Sequence, residues 1–229
     1  GRFDKAINKD KVLNTDIMVT AHKNDLFAKG FNASISGMFN SYSYNASGVK
    51  GENWSKFIVP GVYSLSNYTD ITRTKSSETR YVVQSQSLLG MLNLSYKNYL
   101  FLDLTGRNDI NSTLPIEANS TFYPSASAAF VFTEAFDLGK TKDVLSYGKL
   151  RLAYGESANG ADPYLLDATY SVSAFGGQPT NSVPSSLPPE KLVFQKAKSM
   201  EVGLNLGFLN DRINLDLTYY DIVSEQHLG

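Results

Sequence analysis

The chain has 229 residues, a formal net charge of −1 and no cysteine. A balanced charge leaves no excess of Lys or Arg to neutralise phosphates, which argues against a nucleic-acid partner, and the missing thiols exclude disulfides and thiolate metal sites. With 42% hydrophobic and 19% charged residues, the composition is that of a folded chain rather than a disordered one.

Eight strands are predicted, over 12–23, 29–44, 79–96, 99–108, 122–133, 147–157, 198–209 and 212–223. On the first, His22 shares a face with Met18 and Thr20, away from Ile17 and Val19. The connections tend to alternate in length. Residues 23–29 form a short one, 45–78 a long one, and 97–98 a very short one. Residues 109–121 form a longer link, and 134–146 an intermediate one with room for a short helix. The longest is 157–197, and 210–211 is a tight turn. Within the longest, 157–163 and 176–189 read as irregular chain rich in turn formers. The opening residues 1–5 carry no hydrophobic leader segment, so the sequence is expected to begin inside a longer protein.

The strands are apolar on one face and polar on the other. Leu100, Leu102 and Leu104 alternate with Phe101, Asp103 and Thr105, and Leu204, Leu206 and Phe208 alternate with Asn205 and Gly207. Such alternation fixes register, because a slip of one residue would mix the faces. A turn at Asn210-Asp211 pairs Phe208 with Ile213, Leu206 with Leu215, Leu204 with Leu217 and Asn205 with Asp216. A three-residue turn over 97–99 pairs Tyr96 with Leu100, Leu94 with Leu102, Leu92 with Leu104 and Asn93 with Asp103. No apolar run approaches the roughly 20 residues of a membrane helix, but barrel strands need only about 9–11 alternating residues. Short turns at one rim, long loops at the other, and 14 Tyr and 13 Phe suit an antiparallel all-β transmembrane barrel with lipid outside and water inside. The alternative is a soluble all-β glycan-binding module, in which the apolar face would pack against a second sheet.

Several runs resemble the barrel of SusC/RagA-type TonB-dependent transporters of Bacteroidetes. They are VPGVYSLSN at 59–67, YKNYLFLDLTGRND at 96–109, STLP at 112–115 and FYPSAS at 122–127. LSYGKLRLAY at 145–154, PPEK at 188–191, SMEVGLNL at 199–206 and RINLDLTYYD at 212–221 complete the set. The resemblance implies that residues 1–229 are about eight strands of a larger, 22-stranded barrel domain, with plug domain and C-terminal strands absent. It further implies an outer-membrane importer of glycan or peptide oligomers, powered through TonB by the absent N-terminal part. A SusD-like surface lipoprotein would be its partner, outer-membrane lipid its surroundings, and no enzyme activity is implied.

Candidate site residues fall into two groups. Arg107, Asn108 and Asp109, where a strand reaches the outer loops, and the loop aromatics Trp54, Tyr164, Tyr170 and Phe175 are candidates for substrate or partner contact. The same residues could equally anchor and pack loops. Asn93, Asp103, Thr105, Lys149, Arg151, Glu201, Asn205 and Asp216 are expected to face the lumen, either lining a substrate path or bracing a plug. The two histidines, His22 and His227, lack ligand spacing, so neither a metal site nor another cofactor is expected. No nucleophile elbow, phosphate loop or triad signature suggests catalysis. Asn-x-Ser/Thr triplets begin at seven asparagines, including Asn53 and Asn67, and read as composition.

Overall fold

The structure is a computed structural model that describes residues 2–167, 169–184, 188–189 and 191–225. Its main sheet has eight strands: β1 (Phe3–Lys23), β2 (Phe31–Asn53), β3 (Lys75–Tyr96), β4 (Leu100–Asn111), β5 (Ser120–Val131), β6 (Leu145–Asn159), β9 (Gln195–Phe208) and β10 (Ile213–Glu225). They lie side by side in chain order, so every link within the sheet is a neighbour-to-neighbour meander. A separate hairpin, β7 (Ser171–Phe175) and β8 (Gln178–Ser182), stands within the longest connection. A 3₁₀ turn (Gly139–Asp143) lies in the connection that had room for a short helix, and a short helix α1 (Phe132–Ala135) opens it, taking the last two residues expected in the strand 122–133.

The chain divides into two compact units, Gly1–Thr15 with Ser41–Gln84, and Asp16–Asn40 with Ser85–Gly229. In the second, β3 to β6, β9 and β10 are antiparallel to their neighbours. The predicted registers hold. Tyr96 pairs with Leu100, Leu92 with Leu104 and Asn93 with Asp103, while Phe208 pairs with Ile213, Leu204 with Leu217 and Asn205 with Asp216. Both hairpins turn through left-handed backbone. Lys97 and Asn98 have φ of 46° and 61°, and Leu209, Asn210 and Asp211 have φ of 54°, 56° and 62°. The second turn therefore extends beyond the Asn210-Asp211 pair.

Most strand ends shift by two to four residues, and three differences are larger or of another kind. β1 begins at Phe3 rather than 12, and β2 runs to Asn53 rather than 44. These extensions carry charged and hydroxyl residues on both faces, so apolar alternation cannot reveal them. β1 and β2 are joined by side chains instead: Arg2 to Glu52 and Asp10 to Tyr44 in one unit, Asp16 to Asn40 and Thr20 to Ser36 in the other. Rising numbers on β1 meet falling numbers on β2, which makes the pair antiparallel. The two long connections shorten accordingly to 54–74 and 160–194. The third difference lies in 176–189, read as irregular chain, where Gln178–Ser182 forms β8. Gly176 and Gly177 supply φ of 59° and 79°, the two consecutive positive values of a two-residue hairpin turn. Residues 185–187 and 190 of the runs 176–189 and 188–191, and His227, lie outside the described residues.

A conventional core is nearly missing. Among the described residues the buried hydrophobics are Ala46, Tyr68, Leu114, Val131, Leu192 and Phe194. Leu114, Leu192 and Phe194 cluster with Ala158, Ala161 and Leu166 where the connections after β4 and β6 meet. This pins the ends of the longest connection while its middle carries the β7–β8 hairpin.

Candidate functional site

Directly paired residues of an antiparallel sheet project from the same face. The ladder from β3 to β10 therefore places Asn93, Asp103, Thr105, Lys149, Arg151, Glu201, Asn205 and Asp216 on one face of the second unit. All the residues expected to line a lumen share this wall. Leu92, Leu102, Leu104, Leu150, Leu152, Val202, Leu204, Leu206, Leu215 and Leu217 share the opposite one.

Burial on these faces runs opposite to that of a water-soluble sheet. Ser87 is 4% exposed and its neighbour Leu88 65%. Ser36 is 8% exposed beside Ile35 at 62%, and Thr121 8% beside Phe122 at 57%. At these three positions the polar side chain is covered while its apolar neighbour stands open. Leaving Leu, Ile and Phe exposed in row after row costs roughly 1.5–3 kcal/mol each in water, so the apolar face requires an apolar surrounding.

Near the turns of the second unit that face ends in rings. Phe27 contacts Phe31 at 5.5 Å between centroids, Phe31 contacts Tyr96 at 6.4 Å, and Tyr96 contacts Tyr99 at 5.5 Å. Tyr99 then meets Phe130 at 6.2 Å, and Phe130 meets Phe136 at 6.0 Å. The belt links the β1–β2 turn to α1 without a break. Aromatic girdles of this kind mark the boundary between lipid and water in barrels.

Three networks organise the polar face. Near the β4–β5 connection, Arg107 Nε lies 2.7 Å from Asp109 Oδ1 and Arg107 Nη2 donates to Ser87 Oγ at 3.1 Å. The Tyr123 hydroxyl donates to the other Asp109 oxygen, and the Arg107 guanidinium stands 5.9 Å from the Tyr123 ring centroid. This saturates Asp109 with charge-assisted bonds. Asn108 does not join them. It pairs in register with Leu88 and Phe122 on the apolar side and donates to Ser120 Oγ at 3.2 Å. The predicted trio thus splits by strand parity into a pair on the polar face and an amide on the apolar one.

Nearer the short turns, Arg151 Nη2 bonds Asp216 at 3.0 Å and Thr218 at 3.2 Å, while Nη1 lies 3.8 Å from Glu201. Gly203 makes this possible: a Cβ there would sit 2.8 Å from Nη2 and 2.9 Å from Nε, so the guanidinium rests on bare backbone. Asn93 donates to Asp103 at 2.8 Å, and Ser127 donates to the other oxygen at 3.2 Å. Each acid of these networks meets a cation, an amide or a hydroxyl.

The predicted loop aromatics are not gathered into one site. In the first unit Trp54 is stacked by cations, with the Arg2 guanidinium 5.5 Å and the Lys75 ammonium 5.2 Å from its ring centroid. In the second, Tyr164, Tyr170 and Phe175 are 61%, 63% and 83% exposed, Phe175 beside the Gly-Gly turn. Sequence reading missed the residues that shape 54–74. Asn53 is fully buried, donates to the Asp70 carbonyl at 3.0 Å and Thr74 Oγ1 at 2.8 Å, and accepts from the Ser55 amide and hydroxyl. Asn67 donates to the Val59 and Val62 carbonyls and accepts from the Val59 amide. Both asparagines stand in Asn-x-Ser/Thr triplets, and their structural use is the signal that composition hid. Phe57 stacks on Tyr68 at 4.8 Å and meets Tyr63 at 5.6 Å. The Thr72 hydroxyl and amide, aided by Arg73, hold the Asp70 carboxyl below its usual range against the opposing effect of burial.

Comparison with known proteins agrees with this architecture. Residues 6–224 match the family model described as "TonB dependent receptor-like, beta-barrel". The chain is 32% identical over 168 residues to TonB-dependent receptor P26 of Formosa agariphila, an alignment covering 70% of this chain and 16% of that protein. With TonB-dependent receptor P3 of the same organism it shares 26% over 146 residues, 62% of this chain and 14% of the other. It therefore spans about one sixth of the length of these curated relatives. In fold it is similar to the RagAB peptide importer in its open-open state, with a TM-score of 0.79 at 15% identity over 95% of this chain and 24% of that one. The closed-closed state gives 0.77 at 16% identity over 96% and 24%. An inverted two-faced sheet, an aromatic belt and a family match over nearly the whole length lead to one conclusion: the chain belongs to the TonB-dependent receptor-like β-barrel family.

Proposed function

We propose that this chain is part of the wall of an active importer in the outer membrane of a Gram-negative cell. Its polar face lines the aqueous interior and its apolar face meets lipid. The inversion of burial, Ser87 at 4% beside Leu88 at 65%, carries this reading. A soluble glycan-binding module would cover its leucines with a second sheet, and among the described residues no second layer packs on them.

The cargo is an oligomer, glycan or peptide, and TonB supplies the energy through parts of the transporter beyond this wall. The structures it resembles are those of a peptide importer, and this, with the length of the connection 160–194, supports such a cargo. That connection, with Tyr164, Tyr170 and Phe175, engages the cargo and a SusD-like surface lipoprotein. Arg107 and Asp109 stand at the same strand ends as the entry to the lumen. In the intact transporter, deleting 165–190 should abolish uptake or lipoprotein association while heat-modifiable barrel assembly stays normal. Survival of both activities would remove this connection from the site and leave the polar wall as the place of recognition.

A further inference from the structure

The β7–β8 hairpin has two edges, and the sequence treats them differently. Gly176 and Gly177, with φ of 59° and 79°, form a two-residue turn of the kind closed by the Gln178 N–H donating to the Phe175 carbonyl. Pairs in an antiparallel ladder alternate between hydrogen-bonded and non-hydrogen-bonded. Counting back from the turn, Phe175–Gln178, Ser173–Thr180 and Ser171–Ser182 are the bonded pairs, and Ala174–Pro179 and Val172–Asn181 the non-bonded ones. The backbone groups of non-bonded residues point away from the hairpin. On β8 this edge carries Pro179, which has no N–H to offer, so it is interrupted in the way natural sheets guard a free edge. On β7 the N–H and C=O groups of both Val172 and Ala174 stand outward, with no proline among them.

Nothing else guards β7. Edge strands are ordinarily blunted by charge, by a bulge or by a covering element. The β7–β8 ladder runs without a register shift. Among the described residues its sheet has only these two strands, and every residue of β7 is exposed, Val172 at 75% and Phe175 at 83%. Between Asp167 and Glu190 the sequence has no Asp, Glu, Lys, Arg or His. The Ser173 and Thr180 hydroxyls, 2.8 Å apart, tie the two strands together. A two-stranded hairpin alone is marginal in water, and a third strand stabilises it. The outward groups of β7 recur every second residue, about 6.8 Å, which is the repeat of an extended polypeptide. A sugar chain carries hydroxyls but no alternating row of amide donors and carbonyl acceptors. The missing charge removes any means of selecting acidic or basic side chains, so recognition falls on the backbone.

Resting on the reading that this connection engages the cargo, we propose that the open edge of β7 takes an extended peptide as a third strand. The contacts are the outward N–H and C=O groups of Val172 and Ala174, and they accept a peptide whatever its charge. Five residues of β7 span about 17 Å, so a peptide of about five residues covers the edge. The edge of β8, broken at Pro179, takes no part.

The test uses the intact transporter in nanodiscs and a fluorescein-labelled, capped peptide, Ala-Thr-Val-Thr-Ala-Gln, with binding read by anisotropy. Ala174→Pro deletes one outward N–H and leaves the internal ladder whole; it should weaken binding about fivefold. Asn181→Pro deletes the corresponding N–H of β8 and should leave binding unchanged. A strand added at one edge uses only one edge of its own. The peptide with every second amide N-methylated should therefore bind like its parent, and the peptide with every amide N-methylated should not bind. Replacing its threonines by lysines or by glutamates should leave the affinity alike. If Ala174→Pro disturbs the hairpin itself, the N-methyl series on the wild type still decides. Equal weakening by the two proline variants, loss of binding on alternate N-methylation, or displacement of the peptide by a neutral oligosaccharide would each overturn the proposal. So would Ala174→Pro abolishing self-association of the transporter while peptide binding stays, which would make a second copy the occupant. Uptake lost on deleting 165–190 but unchanged by Ala174→Pro would leave the connection in the site and remove the β7 edge from it, so the two readings fail separately.

Discussion

Placing Arg at position 204 tests the assignment of the apolar face to lipid. Leu204 pairs with Leu150 on β6 and Leu217 on β10, so it lies inside an unbroken leucine row. It is four residues from both Met200 and Phe208, which at about 3.4 Å per residue and a tilt near 40° is roughly 10 Å of height each way. That centres it in an apolar band about 25 Å tall. A cation at the midplane costs about 2–4 kcal/mol, or roughly a 30- to 700-fold shift in the folding equilibrium. Asn205, one residue on, lies between Lys149 and Asp216 on the wet face, where Arg should cost less than about 1 kcal/mol. Reversible unfolding of the parent barrel in lipid vesicles, L204R against N205R, gives the comparison. Equal losses, or a larger loss for N205R, would refute the face assignment.

Two further outcomes follow from local packing. Gly148→Ala would bring a Cβ within 2.1 Å of the Phe132 ring, so α1 must shift off β6; the expected loss is about 1–3 kcal/mol, read from the unfolding midpoint. Asn53→Ala removes a fully buried side chain with four hydrogen bonds and leaves the Asp70 carbonyl and Ser55 amide without it. At about 1 kcal/mol per bond the connection 54–74 should open, and limited proteolysis should cut it faster than in the wild type while the strands stay protected.

Legibility in the sequence followed the physics of each element. Leu92, Leu94, Leu204 and Leu217 revealed both face and register, because a one-residue slip would have turned them toward water. Lys9, Asp10 and Lys11 concealed nine further residues of β1, since a strand polar on both faces has no period to detect. The β7–β8 hairpin was hidden behind the reading of Gly176-Gly177 as loop, although two glycines in succession are also a hairpin turn. Arg107, Asn108 and Asp109 looked like one cluster in sequence, yet strand parity divides them. The packing of Leu114 on Leu192 and Phe194, nearly eighty residues apart, had no local signature at all. The loop aromatics are exposed, but the cations on Trp54 come from strand ends that sequence alone does not bring together.

The central claim is that the polar face is wet and the apolar face is in lipid. The chain has no cysteine, so single thiols can be introduced without background. Asp103→Cys and Leu104→Cys, adjacent on β4, should be treated in intact outer membranes with a membrane-impermeant maleimide small enough to enter the lumen. The account predicts that position 103 is labelled and position 104 protected until detergent is added. Equal labelling of the two, or labelling of 104 alone, would contradict it.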